Sequence, residues 1–299
     1  MKEISALTRR NVKLFFKDKG TFFTSLITPA ILLVLYATFL SNVYKESFME
    51  NLPVVTELQE KIINGSVAGQ LVSSILAVSC VTVAFSANLL MVQDKANGTL
   101  HDLTITPVKS SSLALGYYFA TLICTLLICY VAMGICLGYM AFIGWYMSVA
   151  DVLLLALDVF ILTMFGTALS SVIGYFLSSQ GQISAVTTIM SAGYGFICGA
   201  YMPISQFSEG LQKVICFLPG TYGTSLMRNH AMGGAFRELG NTGFPMDAVE
   251  SLRDVVDCNI YFFDTKVEQP TMYIIIGVTV GVLILAYIAL HAFRKKRAK

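Results

Sequence analysis

Long runs without Asp, Glu, Lys or Arg set the pattern of this chain. They lie between Lys19 and Lys45, Lys61 and Asp94, Lys109 and Asp151, Asp158 and Glu209, and Glu268 and Arg294. A helix crosses the hydrocarbon core with about 20 apolar residues. The first, second and last runs therefore predict one span each, at about 22–43, 66–92 and 271–293. The run after Asp158 holds 50 residues, with turn formers at Ser178, Ser179, Gln180, Gly181 and Gln182. It predicts two helices, at about 150–177 and 183–203. The 41 residues of 110–150 fit one long helix or two short ones.

Charge placement decides between them. Six basic residues (Lys2, Arg9, Arg10, Lys13, Lys17, Lys19) stand in the first 20, and five (Arg294, Lys295, Lys296, Arg297, Lys299) close the chain. Lys/Arg-rich ends stay cytoplasmic. Two cytoplasmic ends require an even number of crossings, so 110–150 is read as one helix at about 113–141, giving six spans. Residues 45–65 and 204–270 then lie outside, with four acids against two bases and eight against five. The expected fold is an all-α integral membrane protein forming a single domain over 1–299.

Composition agrees with this reading. Charged residues make up 13% and hydrophobic residues 56%. A soluble domain carries about 25% charged residues, so a soluble enzyme, a disordered chain and a coiled coil are excluded. A net charge of +2 argues against nucleic-acid binding. The basic start and apolar run mimic a secretory signal, but the run is too long and no A-x-A-like site follows, so a retained anchor is expected. Five of the seven cysteines lie in apolar runs. Cys216 and Cys258 lie in a more polar region, where a bridge and two free thiols are both open.

On a helical wheel, Ile4, Leu7, Val12, Leu14 and Phe15 gather on one side of residues 2–17, and Lys2, Arg9, Arg10, Lys13 and Lys17 on the other. The pattern predicts a helix over about 1–20 lying in the membrane interface, its cations toward anionic lipid headgroups. In the loop after the second span, Thr99 can cap a short helix. Leu100 and Leu103, extended by Ile105, give that helix one apolar side, and Pro107 ends it. It reads either as a handle that a soluble partner grips or as a plain connector.

The residues of this loop carry a resemblance. Asp94-Lys95-Ala96-Asn97-Gly98-Thr99-Leu100, then Leu103 and Thr106-Pro107-Val108, resembles the cytoplasmic loop of ABC-2 type permeases, of drug-exporter type. Ala96 departs from the family, which often has Glu there. Further on, Gly199-Ala200-Tyr201-Met202-Pro203, Leu218-Pro219-Gly220-Thr221-Tyr222 and Arg228 are similar to the same family's pattern after the fifth span. The resemblance implies a permease worked by a separate cytoplasmic ATPase, which carries the ATP and Mg²⁺. It implies contact with that ATPase through the N-terminal helix and the 94–107 loop, a second permease as partner, and a location in the cell membrane. It also implies short re-entrant helices over about 204–228; the more polar 229–270 then reads as a small external subdomain. The cargo implied is hydrophobic or amphipathic: a drug, peptide, lipid or lipid-linked glycan.

This chain has no phosphate cradle of the form G-x-x-x-x-G-K-[ST], no G-x-S-x-G and no HExxH, and its three histidines have no metal-ligand spacing. No catalytic residue, metal site or bound cofactor is expected. Only Asp158 interrupts a span, and an intramembrane acid is a functional candidate by default. It reads as a translocation-path contact, or as a polar group satisfied in a helix interface. Gly134-x-x-x-Gly138 and Gly166-x-x-x-Ser170 permit close helix contact, within the bundle or at a dimer seam. An ion- or proton-coupled transporter is the alternative function, resting on Asp158 alone.

Overall fold

Thr56 and Gln59 close a reciprocal capping box, each side chain bonding the other's backbone N–H, and start the helix that organises the bundle. This helix, α3 (Glu57–Ala87), continues after a break at Asn88 as α4 (Leu89–Ala96). The structure is a computed structural model describing residues 2–35, 38, 45, 56–263 and 265–297. Ahead of α3 come α1 (Lys2–Lys17) and α2 (Lys19–Leu35). After α4 follow α5 (Thr99–Ile105), α6 (Ser110–Ile143), α7 (Val149–Phe176) and α8 (Gln180–Ile197). A single 3₁₀ turn, α9 (Glu209–Ile215), α10 (Pro219–Asn241) and α11 (Met246–Val255) come next. A hairpin, β1 (Ile260–Phe262) against β2 (Thr265–Val267), then leads into α12 (Gln269–Arg297).

Small side chains put α3 at the centre, against α2, α6, α7, α8 and α10. It is buried over nearly its whole length. Three of its hydroxyls are satisfied within the helix: Ser66, Ser79 and Thr82 donate to the carbonyls of Ile62, Ile75 and Val78 on the preceding turn. Gly166 of α7 lies directly on the Cys80 carbonyl, where a side chain would collide. The Gly166/Ser170 pair thus packs within the bundle, whereas Gly134 and Gly138 face open space.

Tertiary hydrogen bonds give the helix directions. On α3, Cys80 meets Val159 and Asn88 meets Ser170, so α3 and α7 run parallel. Tyr273 bonds Asp158, and Tyr175 bonds the Leu290 carbonyl at the same interval further along, so α12 runs with α7. Tyr118 meets Met164 and Tyr130 meets Ala156, so α6 runs against them. One end of the bundle therefore gathers α1, α4, α5, the start of α6 and the ends of α7 and α12. It is the basic end of the molecule.

The fold is that of an all-α membrane protein, with the short hairpin its one β element among the described residues. Four helices are long and apolar enough to cross a membrane, and a fifth span is possible if α1 and α2, bent by 79°, count as one. A six-span count would also need α8, whose 18 residues reach about 27 Å and include Gln180 and Gln182. Helices α6, α7 and α12 lie within four residues of the expected bounds at both ends, whereas the second starts earlier, at Glu57, and breaks at Asn88, and the fifth runs Gln180–Ile197 rather than 183–203. Of the first predicted span, residues 36–37 and 39–43 lie outside the described residues, as does Lys299. The region 204–270 is not a subdomain beginning at 229. The 23-residue α10 crosses that boundary and packs antiparallel along α3, from Gln59–Thr242 to Ser74–Arg228. All seven cysteines are free and buried, Cys216 and Cys258 included.

Candidate functional site

The backbone at Gly98 adopts φ +81, the left-handed region where glycine has no Cβ penalty, and this reverses the chain between α4 and α5. Gly98, not Thr99, occupies the cap, with no side-chain cap bond; Thr99 is the first helical residue. Thr106 then takes an extended ψ of 159, as a residue before proline must, so Pro107 ends α5 as expected.

The residues of 94–107 divide into two sets. Asp94 is buried and turned inward: it accepts from Arg10 Nη1 at 2.7 Å and from the Tyr117 hydroxyl at 2.6 Å. Lys95 donates to the carbonyls of Tyr175 and Leu177 at 2.6 and 2.5 Å and lies over the Tyr175 ring. It thereby satisfies carbonyls left open at the end of α7. Leu100 is buried and Leu103 half-buried, both in a cluster with Leu7, Met91, Leu113 and Tyr287. The outward face of α5 consists of His101, Asp102, Thr104 and Ile105, with Ile105 72% exposed. The apolar side read from the sequence is thus split: Leu100 and Leu103 seat the helix, and Ile105 alone is presented.

Helix α1 packs through Leu7, Asn11 and Phe15, spaced four residues apart. Arg9, Lys13 and Lys17 are exposed, but Arg10 leaves the basic face for Asp94, whose carboxylate pushes the guanidinium further up from its ordinary value. The resemblance places Asp94 at the ATPase contact and the wheel places Arg10 toward lipid; the structure pairs them with each other. At the bend between α1 and α2, Asp18 accepts from the Thr21 hydroxyl and backbone N–H, which hold its carboxylate below the usual range.

At the other end, Asp158 is fully enclosed between three helices. Its carboxylate lies 2.5 Å from His230 Nδ1 on α10 and accepts from the Tyr273 hydroxyl on α12 at 2.6 Å. Asp151 is paired with Arg237 about two turns further out. Arg228 is buried too: it donates to Asp257 at 2.8 Å, to the Gly199 carbonyl at 2.5 Å and to Ser74 at 3.4 Å. Asp257 also accepts from the Ile204 backbone N–H at 2.9 Å. Pro203 is buried at the 3₁₀ turn, and Pro219 opens α10 at a position that needs no N–H donor. Thr221 and Tyr222 donate to the Ile215 and Cys216 carbonyls, closing the end of α9. Sequence reasoning missed Asp257, His230, Tyr273 and Tyr117. All four act across long sequence separations, and only the rule that buried charges are paired points to such partners.

Among the described residues no group of three His, Cys, Asp or Glu side chains is close enough to hold a metal ion. No curated protein matches this chain. A family model described as ABC-2 type transporter matches residues 2–231, taking in α1, the 94–107 loop and the motif through Arg228. The chain belongs to the ABC-2 type transporter family.

Proposed function

We propose that this chain is the membrane subunit of an exporter, worked by a separate cytoplasmic ATPase that holds ATP and Mg²⁺. The observation that carries this reading is α5: a short helix anchored from behind by Asp94, Lys95 and Leu100, with a free outward face of His101, Asp102, Thr104 and Ile105. A force on that face reaches α1 through Arg10, α6 through Tyr117 and α7 through Lys95. ATPase closure would then shift the bundle between two access states, since a partner moves an equilibrium by its differential contacts. The concentration of Lys and Arg at this end supports placing it, with both chain ends, in the cytoplasm; that requires an even number of crossings of the cell membrane, and six are reached when α8 and the bent pair α1 and α2 are counted with the four long helices. A second permease, identical or paralogous, completes the assembly, and the apolar spans suit an amphipathic or hydrophobic cargo.

Ile105→Asp tests the contact. One lost interface anchor is expected to lower ATPase co-purification by about tenfold or more, while insertion stays normal because Ile105 seats nothing inside. Undiminished co-purification sinks the proposed face. Leu100→Asp is not a clean test, because Leu100 belongs to the permease's own packing.

One observation favours a second reading, proton-coupled transport: the buried Asp158 and His230 form a titratable pair within the bundle. If that reading holds, a proton gradient drives uptake into ATP-free vesicles and Asp158→Asn abolishes it. Gradient-independent transport dismisses it.

A further inference from the structure

A groove of about 730 Å³ runs between α1 and α6 on the outside of the basic end. Its walls are apolar, with Ile4 and Val12 on α1 and Phe119 and Ile123 on α6. Arg9 and Lys13 line it as well. They are one helical turn apart, so both cations project from one stripe of α1. Among the described residues neither has an ion-pair partner, in contrast to Arg10 beside them. Thr8 and Leu7 seat α1 on α6 at Gly116, at the edge of the groove.

The groove joins two chemistries at a fixed spacing. Phe119 and Ile123 stand about 14 and 20 Å along α6 from its start at Ser110. At that depth their neighbours are acyl chains rather than water or a soluble protein. Arg9 and Lys13 sit above them on the interfacial helix, where a lipid phosphate lies. We propose that this groove is a binding site for one anionic phospholipid of the inner leaflet. Its phosphate is held by Arg9 and Lys13, and one acyl chain lies between Val12, Phe119 and Ile123. A free phosphate would leave the apolar floor empty, and a neutral lipid would leave two cations without a counter-charge. The proposal rests on α1 lying at the cytoplasmic membrane surface. Such a lipid would brace α1 against α6 beside the Arg10–Asp94–Tyr117 junction.

The test uses fluorescence quenching in vesicles. The chain's single tryptophan, Trp145, is replaced by Phe, and Phe119→Trp places the reporter in the groove. Brominated phosphatidylglycerol and brominated phosphatidylcholine are then compared as quenchers at equal mole fraction. Two cations at roughly fivefold each give an expected preference of about 25-fold for the anionic lipid. Arg9→Gln with Lys13→Gln is expected to bring the ratio to about one, and Arg9→Lys with Lys13→Arg to preserve it. Equal quenching by both lipids in the parent overturns the anionic site while leaving the membrane placement intact. Absence of quenching by either lipid overturns the placement of α1 and α6 in the membrane, and the site with it. A preference unchanged by the double Gln variant assigns the selectivity to other cations and also overturns the site.

Discussion

Asp257→Asn is expected to destabilise the folded chain by about 3–5 kcal/mol, the cost of leaving a buried charge without its partner. Arg228 is 0% exposed and Asp257 4%. Removing the carboxylate strands a guanidinium enclosed by protein, beside the Gly199 carbonyl and the Ser74 hydroxyl. Asn is the informative replacement. Asp257 sits at φ 53, a left-handed conformation that Asn tolerates and Ala does not. Asp257→Asn therefore changes the charge with little change in backbone strain, and Asp257→Ala is expected to be worse. The double variant Arg228→Met with Asp257→Asn should recover most of the loss, since replacing a whole buried pair is often neutral. Thermal unfolding in detergent compares the parent, Asp257→Asn, Arg228→Met and the double variant, and the cycle isolates the pair. A double variant as unstable as the sum of the singles would mean that the ion pair is not what joins α10, the turn at Gly199 and the segment before the hairpin.

That junction shows what the sequence could and could not reveal. Charge-free runs located the helices because lipid excludes charge over a fixed thickness, and this constraint is local. The start of α8 was legible to within three residues from its turn formers: Ser179 caps it and Gln182 accepts from the Ser178 backbone N–H, but Gln180, Gly181 and Gln182 already belong to the helix. Arg228 was legible as a motif residue, but its role was not, because Asp257 lies in a region whose polarity reads as exposed. The same polarity hid α10, whose buried polar groups find partners on α3, α7 and the chain near Cys258. For α5 the periodicity was legible and the direction of its apolar side was not. Leu100 and Leu103 share a face with spacing that equally suits docking outward or seating inward, and only the cluster around Leu7 and Met91 decides. On α1, the wheel separated cations from apolar groups but could not tell Arg10, which reaches Asp94, from Arg9, which does not.

Asp94→Ala is expected to separate holding α5 in place from docking on it. The substitution removes the acceptor for both Arg10 and Tyr117, so α1, α4 and α6 lose their common contact. Arg10 is about one-third exposed, so water takes up part of its loss. Tyr117 is buried and its O–H is left without the acceptor it had in Asp94, a cost of about 1–3 kcal/mol. The global fold survives, because the packing of α3 against α6, α7 and α10 does not run through Asp94. The loss falls on α1, whose local opening becomes about tenfold more frequent for each 1.4 kcal/mol. Limited trypsin digestion reads this as faster cleavage after Arg9 and Arg10. The outward face of α5 is intact, so the ATPase still co-purifies, unlike with Ile105→Asp. Transport per ATP hydrolysed should fall by between about 5- and 150-fold, the range of ordinary coupling energies. Asp94→Asn, which keeps an acceptor for Tyr117 but loses the charge facing Arg10, should fall between Asp94→Ala and the parent. Unchanged cleavage together with unchanged coupling would remove Asp94 from the path by which force on α5 reaches the membrane helices. That would leave Lys95, through its hold on the end of α7, to carry it.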